Sequence, residues 1–236
     1  KRADIGIAMG RTGTEVTKDA ADMVLADDNF ATIVGAVEEG RTIYDNIVKF
    51  VRFQLSTNIG AVLTVTGASL LALPSPFTAI QLLWINIIMD GPPAMTLGLD
   101  PPRPGIMTEP PRRKGDAILT WRRFAVLFFY GVLMAAGTLA AFRHGLESGT
   151  RHALTLAFTT FVLFQIFNAF NARAEGRTAL TRFAFSNPRL WLALGAVLVL
   201  QVVAVSWAPA QLVFGTAALS LGDWVLALGI ASTILV

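Results

Sequence analysis

Apolar residues along this chain come in two arrangements. Up to residue 29 they form short runs between polar and glycine-rich stretches. Ile5–Met9 (IGIAM) and Met23–Leu25 have the length and boundaries of buried parallel strands. Gly10–Thr14 between them reads as a turn and Glu15–Ala21 as a short helix. Asp27, Asp28 and Asn29 offer side-chain acceptors to the start of the next helix. Strand, helix, strand, helix is the order at the edge of a doubly wound sheet. From Phe30 the pattern turns helical. Six apolar segments follow, near 50–73, 76–99, 124–142, 153–172, 190–208 and 221–236. Each is close to the roughly 20 residues that a bilayer crossing needs. No Gly–Pro break separates the amphipathic stretch 30–52 from the first of them, so one helix is predicted to run from the soluble part into the bilayer. Pro74-Ser75-Pro76 is a tight linker, and the first two segments should form a hairpin. The predicted fold is mainly α: a six-helix transmembrane bundle preceded by a small α/β piece and a stalk helix.

Composition supports this reading. The chain has 236 residues, of which 54% are hydrophobic and 15% charged, with a mean hydropathy of +0.58. Soluble domains carry about 25% charged residues. The absence of cysteine excludes disulfides, thiolate metal sites and cysteine nucleophiles. Arginines cluster beside apolar segments, as topology signals do, and no nucleic-acid partner is expected. Arg103, Arg112, Arg113, Lys114, Arg122 and Arg123 lie in 100–123, and Arg173, Arg177, Arg182 and Arg189 in 173–189. The positive-inside rule puts both stretches, and with them the N-terminal piece, in the cytoplasm. Of the stalk charges Glu38, Glu39, Arg41, Asp45, Lys49 and Arg52, most are expected to form a solvated face. The chain opens on Lys1 just ahead of a strand, and is expected to be part of a longer protein.

The chemistry centres on Gln81–Asp100. Asn86 and Asp90 sit four apart on one helical face, and Gly91-Pro92-Pro93 breaks the helix straight after the acid. Asp90 is the only carboxylate deep in an apolar segment. An ionised group there costs roughly 3 kcal/mol or more. Either a bound cation compensates it, or it is a protonated or hydrogen-bonded structural acid. Asn58 in the first segment could bridge helices or offer its carbonyl to a cation. In the fourth segment Asn168 and Asn171 read as packing contacts, and Gln165, deeper, fits either role. His144 and His152 read as surface residues with no acidic partner beyond Glu147. Calcium takes 6–8 oxygen ligands, whereas Asp90, Asn86 and Asn58 supply about four. The site is therefore expected to be incomplete in this chain. All-oxygen donors favour calcium, magnesium, manganese or alkali ions over zinc or copper.

Taken together, these stretches resemble the C-terminal third of P-type cation-pumping ATPases. Residues 1–37 (KRADIGIAMGRTGTEVTKDAADMVLADDNFATIVGAV) are similar to the end of the phosphorylation domain. EEGRTIYDNIVKFVRFQLSTN (38–58) resembles the stalk, 38–52, and the fifth membrane helix. LLWINIIMDGPPAMTLGLDPP (82–102) resembles the sixth, and 50–236 the C-terminal transmembrane domain. FVRFQLST and WINIIMDGPPA are the wording of calcium pumps, in particular the secretory-pathway calcium/manganese type. The resemblance implies that Asp90, Asn86 and Asn58 are ion ligands. Ala61, Met89 and Gln165 stand where two-site pumps have Glu, Thr and Glu, which implies one ion per cycle. The secretory-pathway type has Gln where this chain has Met95, so Mn2+ stays open beside Ca2+.

The chain carries no DKTGT phosphorylation motif and no TGDGVND hinge. The resemblance therefore implies an upstream part of the same pump: actuator and nucleotide domains, which bind ATP and Mg2+, and the first four membrane helices. Alone, this chain is expected to be inactive. A bacterial plasma membrane is the expected location. The rival reading is half of a gradient-driven secondary cation transporter, which would have no use for the α/β start or the stalk.

Overall fold

The computed structural model describes residues 4–89, 91–112, 115, 117–174 and 185–235. It is mainly α-helical, with one pair of short strands among the described residues. The chain divides into two units, Lys1–Asp45 with Pro102–Pro111, and Asn46–Pro101 with Arg112–Val236. One helix, α2 (Ala31–Leu70), contributes residues to both.

In the first unit β1 (Ile7–Met9) and β2 (Met23–Leu25) pair in parallel, Ile7 opposite Met23 and Met9 opposite Leu25. The crossover carries α1 (Glu15–Asp19), whose N-terminus is capped by the Thr14 side chain. The first strand is shorter than the apolar run because the Asp22 carboxylate takes the Gly6 N–H at 2.8 Å in place of a ladder partner. The glycine turn packs tightly against its own chain. A Cβ on Gly13 would lie 2.1 Å from the Met9 carbonyl oxygen. The N–H groups of Arg11 and Thr12, free to face a phosphate in another setting, donate to the Asp28 carboxylate at 2.8 and 2.9 Å. The Arg11 amide, foremost among these donors, holds the Asp28 carboxyl below the usual carboxylate range. The Thr32 hydroxyl, 2.6 Å from Oδ2, does the same for Asp27. Asn29 Oδ1 accepts from Ala31 N–H, the capping role its position predicts. Arg41 donates to the carbonyls of Ile106 and Glu109, both at 2.8 Å, and so binds the segment 102–111 to the early part of α2. Arg103 pairs with Glu109 and with Asp45, which raises its already high pKa.

The second unit is helical. α3 (Ala79–Trp84), a π-helical turn (Ile85–Met89) and α4 (Pro92–Leu97) follow the second half of α2. Then come α5 (Trp121–Gly145), a 3-10 turn (Leu146–Ser148) and α6 (Thr150–Arg173). α7 (Pro188–Ser206), α8 (Ala208–Phe214) and α9 (Leu221–Ser232) complete it. Trp121–Ser148, Thr150–Arg173 and Pro188–Ser206 are long and apolar enough to cross a membrane. At the other three expected positions stand the second half of α2, the interrupted α3–α4 segment and the 12-residue α9. The short α8 has no counterpart in the predicted pattern.

α6 forms the centre. Leu156, Phe158, Phe161 and Phe164 are fully buried in one apolar cluster with Met134 and Phe142 of α5 and Ala227 and Ala231 of α9. Backbones approach closely where α2 meets α5: a Cβ on Gly131 would lie 2.4 Å from the Ile59 side chain. A smaller cluster joins Phe53 of α2, Ala94 and Leu97 of α4, Ala169 of α6 and Leu190 of α7.

Candidate functional site

The segment from Thr78 begins as a well-capped helix. Thr78 and Gln81 exchange side-chain and backbone hydrogen bonds in a capping box. Gln81 Nε2 also donates to the Phe214 carbonyl at 3.1 Å, which fastens the start of α3 to the end of α8. The winding then widens to a π-turn at Ile85–Met89. Gly91 follows with φ −75° and ψ −81°, and a Cβ there would lie 2.5 Å from the Ile87 carbonyl oxygen. α4 restarts on Pro92 and Pro93, where the missing N–H groups cost nothing. Those prolines offer no α-type donor to the carbonyls of Ile88 and Met89, four residues earlier. The helix therefore comes apart where the sequence predicts, and π-turns and interrupted helices of this kind recur at functional sites.

Of the four sequence-predicted ligands, Asp90 lies outside the described residues. Asn58 on α2 and Asn86 in the π-turn are both exposed, and neither makes a side-chain hydrogen bond among the described residues. Their helices share packing: Ile85, beside Asn86, belongs to the large apolar cluster, and Ala61 of α2 packs against it. Gln165 is fully buried on α6, and neither its Oε1 nor its Nε2 has a hydrogen-bond partner among the described residues. Thr57 Oγ1 and Thr160 Oγ1 are buried in the same condition. A buried amide without partners costs about 1–3 kcal/mol, which marks it for a ligand or a bound water. One turn along, Asn168 donates to Ser56 Oγ at 2.8 Å, and Asn171 donates to the Ile234 carbonyl, both as packing contacts. No group of three or more His, Cys, Asp or Glu side chains converges among the described residues. The oxygen donors that the segment does present, amide and backbone carbonyls, suit a hard cation.

Two groups of charges differ from expectation. Asp45 and Lys49 are buried, not solvated. Lys49 Nζ lies 2.8 Å from Asp100 Oδ2, and Arg173 Nη2 lies 2.9 Å from Asp100 Oδ1. Amphipathic spacing marks which residues share a face, but the acid that draws Lys49 inward lies 51 positions away. His152 also has an acidic partner beyond Glu147: its Nε2 lies 3.3 Å from Asp223 Oδ1 at the start of α9. The signal available in sequence was Ser220-Leu221-Gly222-Asp223, a capping box that places this acid at a helix start.

Comparison with known proteins gives a consistent picture. The sequence profile described as cation transporting ATPase, C-terminus, matches residues 74–236. The calcium-transporting ATPase type 2C member 1 of Pongo abelii is 42% identical over 236 residues, covering 99% of this chain and 26% of the relative. A calcium-transporting ATPase of Bacillus subtilis (strain 168) is 40% identical over 235 residues, 98% of this chain and 26% of its own length. Calcium-transporting ATPase 1 of Schizosaccharomyces pombe is 40% identical over 237 residues, again 26% of its length. The chain spans about a quarter of the curated relatives it matches.

Proposed function

The chain belongs to the cation-transporting ATPase family, and from that premise we propose that it is the ion-carrying C-terminal part of an ATP-driven pump that exports calcium. The observation that carries this reading is the interrupted helix. Its π-turn presents Asn86, its prolines offer no α-type donor to the carbonyls one turn earlier, and the sequence puts the one intramembrane acid, Asp90, at the break. Asp90, Asn86 and Asn58 are the proposed ligands of the transported ion. Gln165, buried and without partners, is the weaker fourth. With Ala61 and Met89 unable to supply side-chain oxygen, one ion moves per cycle. Mn2+ has the same preference for oxygen and is the second candidate substrate.

ATP and Mg2+ bind to the upstream part, which also supplies the phosphorylated aspartate, the actuator and nucleotide domains, and the first four membrane helices. Phosphorylation reorients the domain that ends in residues 1–37. Because α2 continues through 38–52 into the bundle, that movement is passed to the helices bearing Asn58, Asn86 and Asp90. All six apolar segments then cross a bacterial plasma membrane, with 100–123 and 173–189 on the cytoplasmic side. The gradient-driven carrier has no support among the relatives compared, whose names are those of calcium-transporting ATPases.

The test is Asp90→Asn in the full-length pump. Phosphorylation from ATP should lose its calcium stimulation, and isotope uptake into vesicles should stop. Retained stimulation at unchanged calcium affinity would count against the reading. Uptake of calcium and of manganese by the wild-type protein, with ATP present, separates the two substrates.

A further inference from the structure

Asp100 lies three residues past the end of α4 and ten past Asp90. Its side chain is wholly buried, and its partners come from three other places in the bundle. Lys49 Nζ of α2 donates to Oδ2 at 2.8 Å. Arg173 at the end of α6 donates to Oδ2 through Nε at 3.1 Å and to Oδ1 through Nη2 at 2.9 Å. Asn187, which caps α7, donates to Oδ1 at 2.9 Å and to the Thr96 carbonyl at 3.0 Å. Asn46 of α2 completes the set, donating to the Asp100 carbonyl at 2.8 Å and accepting from Lys49 Nζ at 3.1 Å. The helix after the break is thus fastened at its far end to α2, α6 and α7. The helix before the break is fastened elsewhere, through Gln81 to the end of α8. Both halves of the interrupted segment pack on α6, but their hydrogen-bonded anchors differ, and the joint between them is the break itself.

We propose that Asp100 is a positioning residue for the cation site. Through Lys49 and Asn46 it locks α4 to α2, so a displacement of α2 is passed to α4 and reaches the break, while α3 keeps its own hydrogen bond to α8. The six residues of α4 span only about 9 Å, too short to absorb that displacement by bending. Packing of Ala94 and Leu97 against Phe53 keeps the locked surfaces in register. The proposal rests on the pump reading above, and adds to it the element that transmits motion to the ion.

The experiment uses the full-length pump carrying Lys49→Met, Lys49→Arg or Asn46→Ala. Lys49→Met leaves the Asp100 carboxylate bonded to Arg173 and Asn187, so the buried charge keeps partners. The calcium concentration for half-maximal phosphorylation should rise about tenfold, a typical coupling between linked sites. Calcium moved per ATP should fall, with the KM for ATP unchanged. Lys49→Arg should restore both, and Asn46→Ala should shift them in the same direction by less. Wild-type calcium dependence and transport ratio in Asn46→Ala and Lys49→Met overturn the proposal. Should Lys49→Met fail to fold, unchanged behaviour in Asn46→Ala alone overturns it. If the wild-type pump shows no calcium-dependent phosphorylation, the pump reading itself falls and takes the proposal with it. A responsive wild type with indifferent variants removes the lock alone.

Discussion

Asn168 Nδ2 lies 2.8 Å from Ser56 Oγ, a buried side-chain contact that joins α6 to α2 one turn from where Arg52 donates to the Asn171 and Ala172 carbonyls. The same hydroxyl donates back to the Arg52 carbonyl at 2.8 Å, so its hydrogen is committed and its oxygen receives the amide. Both residues are buried. Ser56→Ala leaves the Asn168 amide with nothing to donate to, and should cost about 1–3 kcal/mol. Adding Asn168→Leu should recover most of that loss, because an apolar pair leaves no orphan. Thermal unfolding of the single and double variants in detergent checks both numbers.

Gln165 calls for the opposite expectation. Its amide has no partner to lose among the described residues, so Gln165→Met, close in volume and free of polar demand, should stabilise the ion-free protein by about 1–3 kcal/mol. The rise in melting temperature with calcium that the proposed site implies should shrink in the same variant. A destabilised ion-free protein would show that the amide has a partner after all. An undiminished calcium effect would remove Gln165 from the ligand set.

Gly131 tests the approach of α5 to α2. A methyl group there meets the Ile59 side chain and, at 3.1 Å, the Gly60 backbone nitrogen. Gly131→Ala should destabilise by about 1–3 kcal/mol through overpacking. Gly195 of α7 has nothing within 4 Å of the same added atom. Gly195→Ala is the control, and should be neutral or stabilising by up to about 1 kcal/mol. Equal melting temperatures for the two variants would show that the helices can part without cost.

Asp28 predicts a pH dependence in the first unit. Its folded pKa lies below the unfolded value, chiefly through the Arg11 amide. Its contribution is therefore complete above the unfolded carboxylate pKa of about 3.9 and is lost as pH falls through the lower, folded value. Asp27, held low by Thr32, adds in the same direction. Asp28→Asn keeps a side chain that tolerates the φ of +55° but removes the charge. The variant should flatten the acid limb of a melting-temperature profile between about pH 4 and pH 2. An unchanged limb would assign acid sensitivity to other groups.

What could be read in sequence divides along a physical line. The interrupted helix was legible because a proline lacks its N–H whatever surrounds it, and Gly91-Pro92-Pro93 stops an α-helix locally. The continuity of α2 was legible for the converse reason, since nothing from Ala31 to Leu70 breaks it. The strand pair and its crossover followed from short apolar runs. The inward turn of Lys49, the Asp223 partner of His152 and the clasp around Asp100 were not legible, because each depends on residues 51 to 87 positions apart. Local pattern says which residues share a face, and only the folded chain says which face is covered. The missing partners of Gln165 were hidden for the same reason.

The wide turn at Ile85–Met89 amounts to one supernumerary residue threaded into a helical winding. Deleting Ile88 would return that stretch to ordinary pitch and leave the helix beyond it facing nearly as before, because a wide turn takes up its extra residue locally. The surplus of chain thus falls at Asn86 itself, and a full-length protein shortened by that one residue should fold normally yet lose the calcium response proposed for this site.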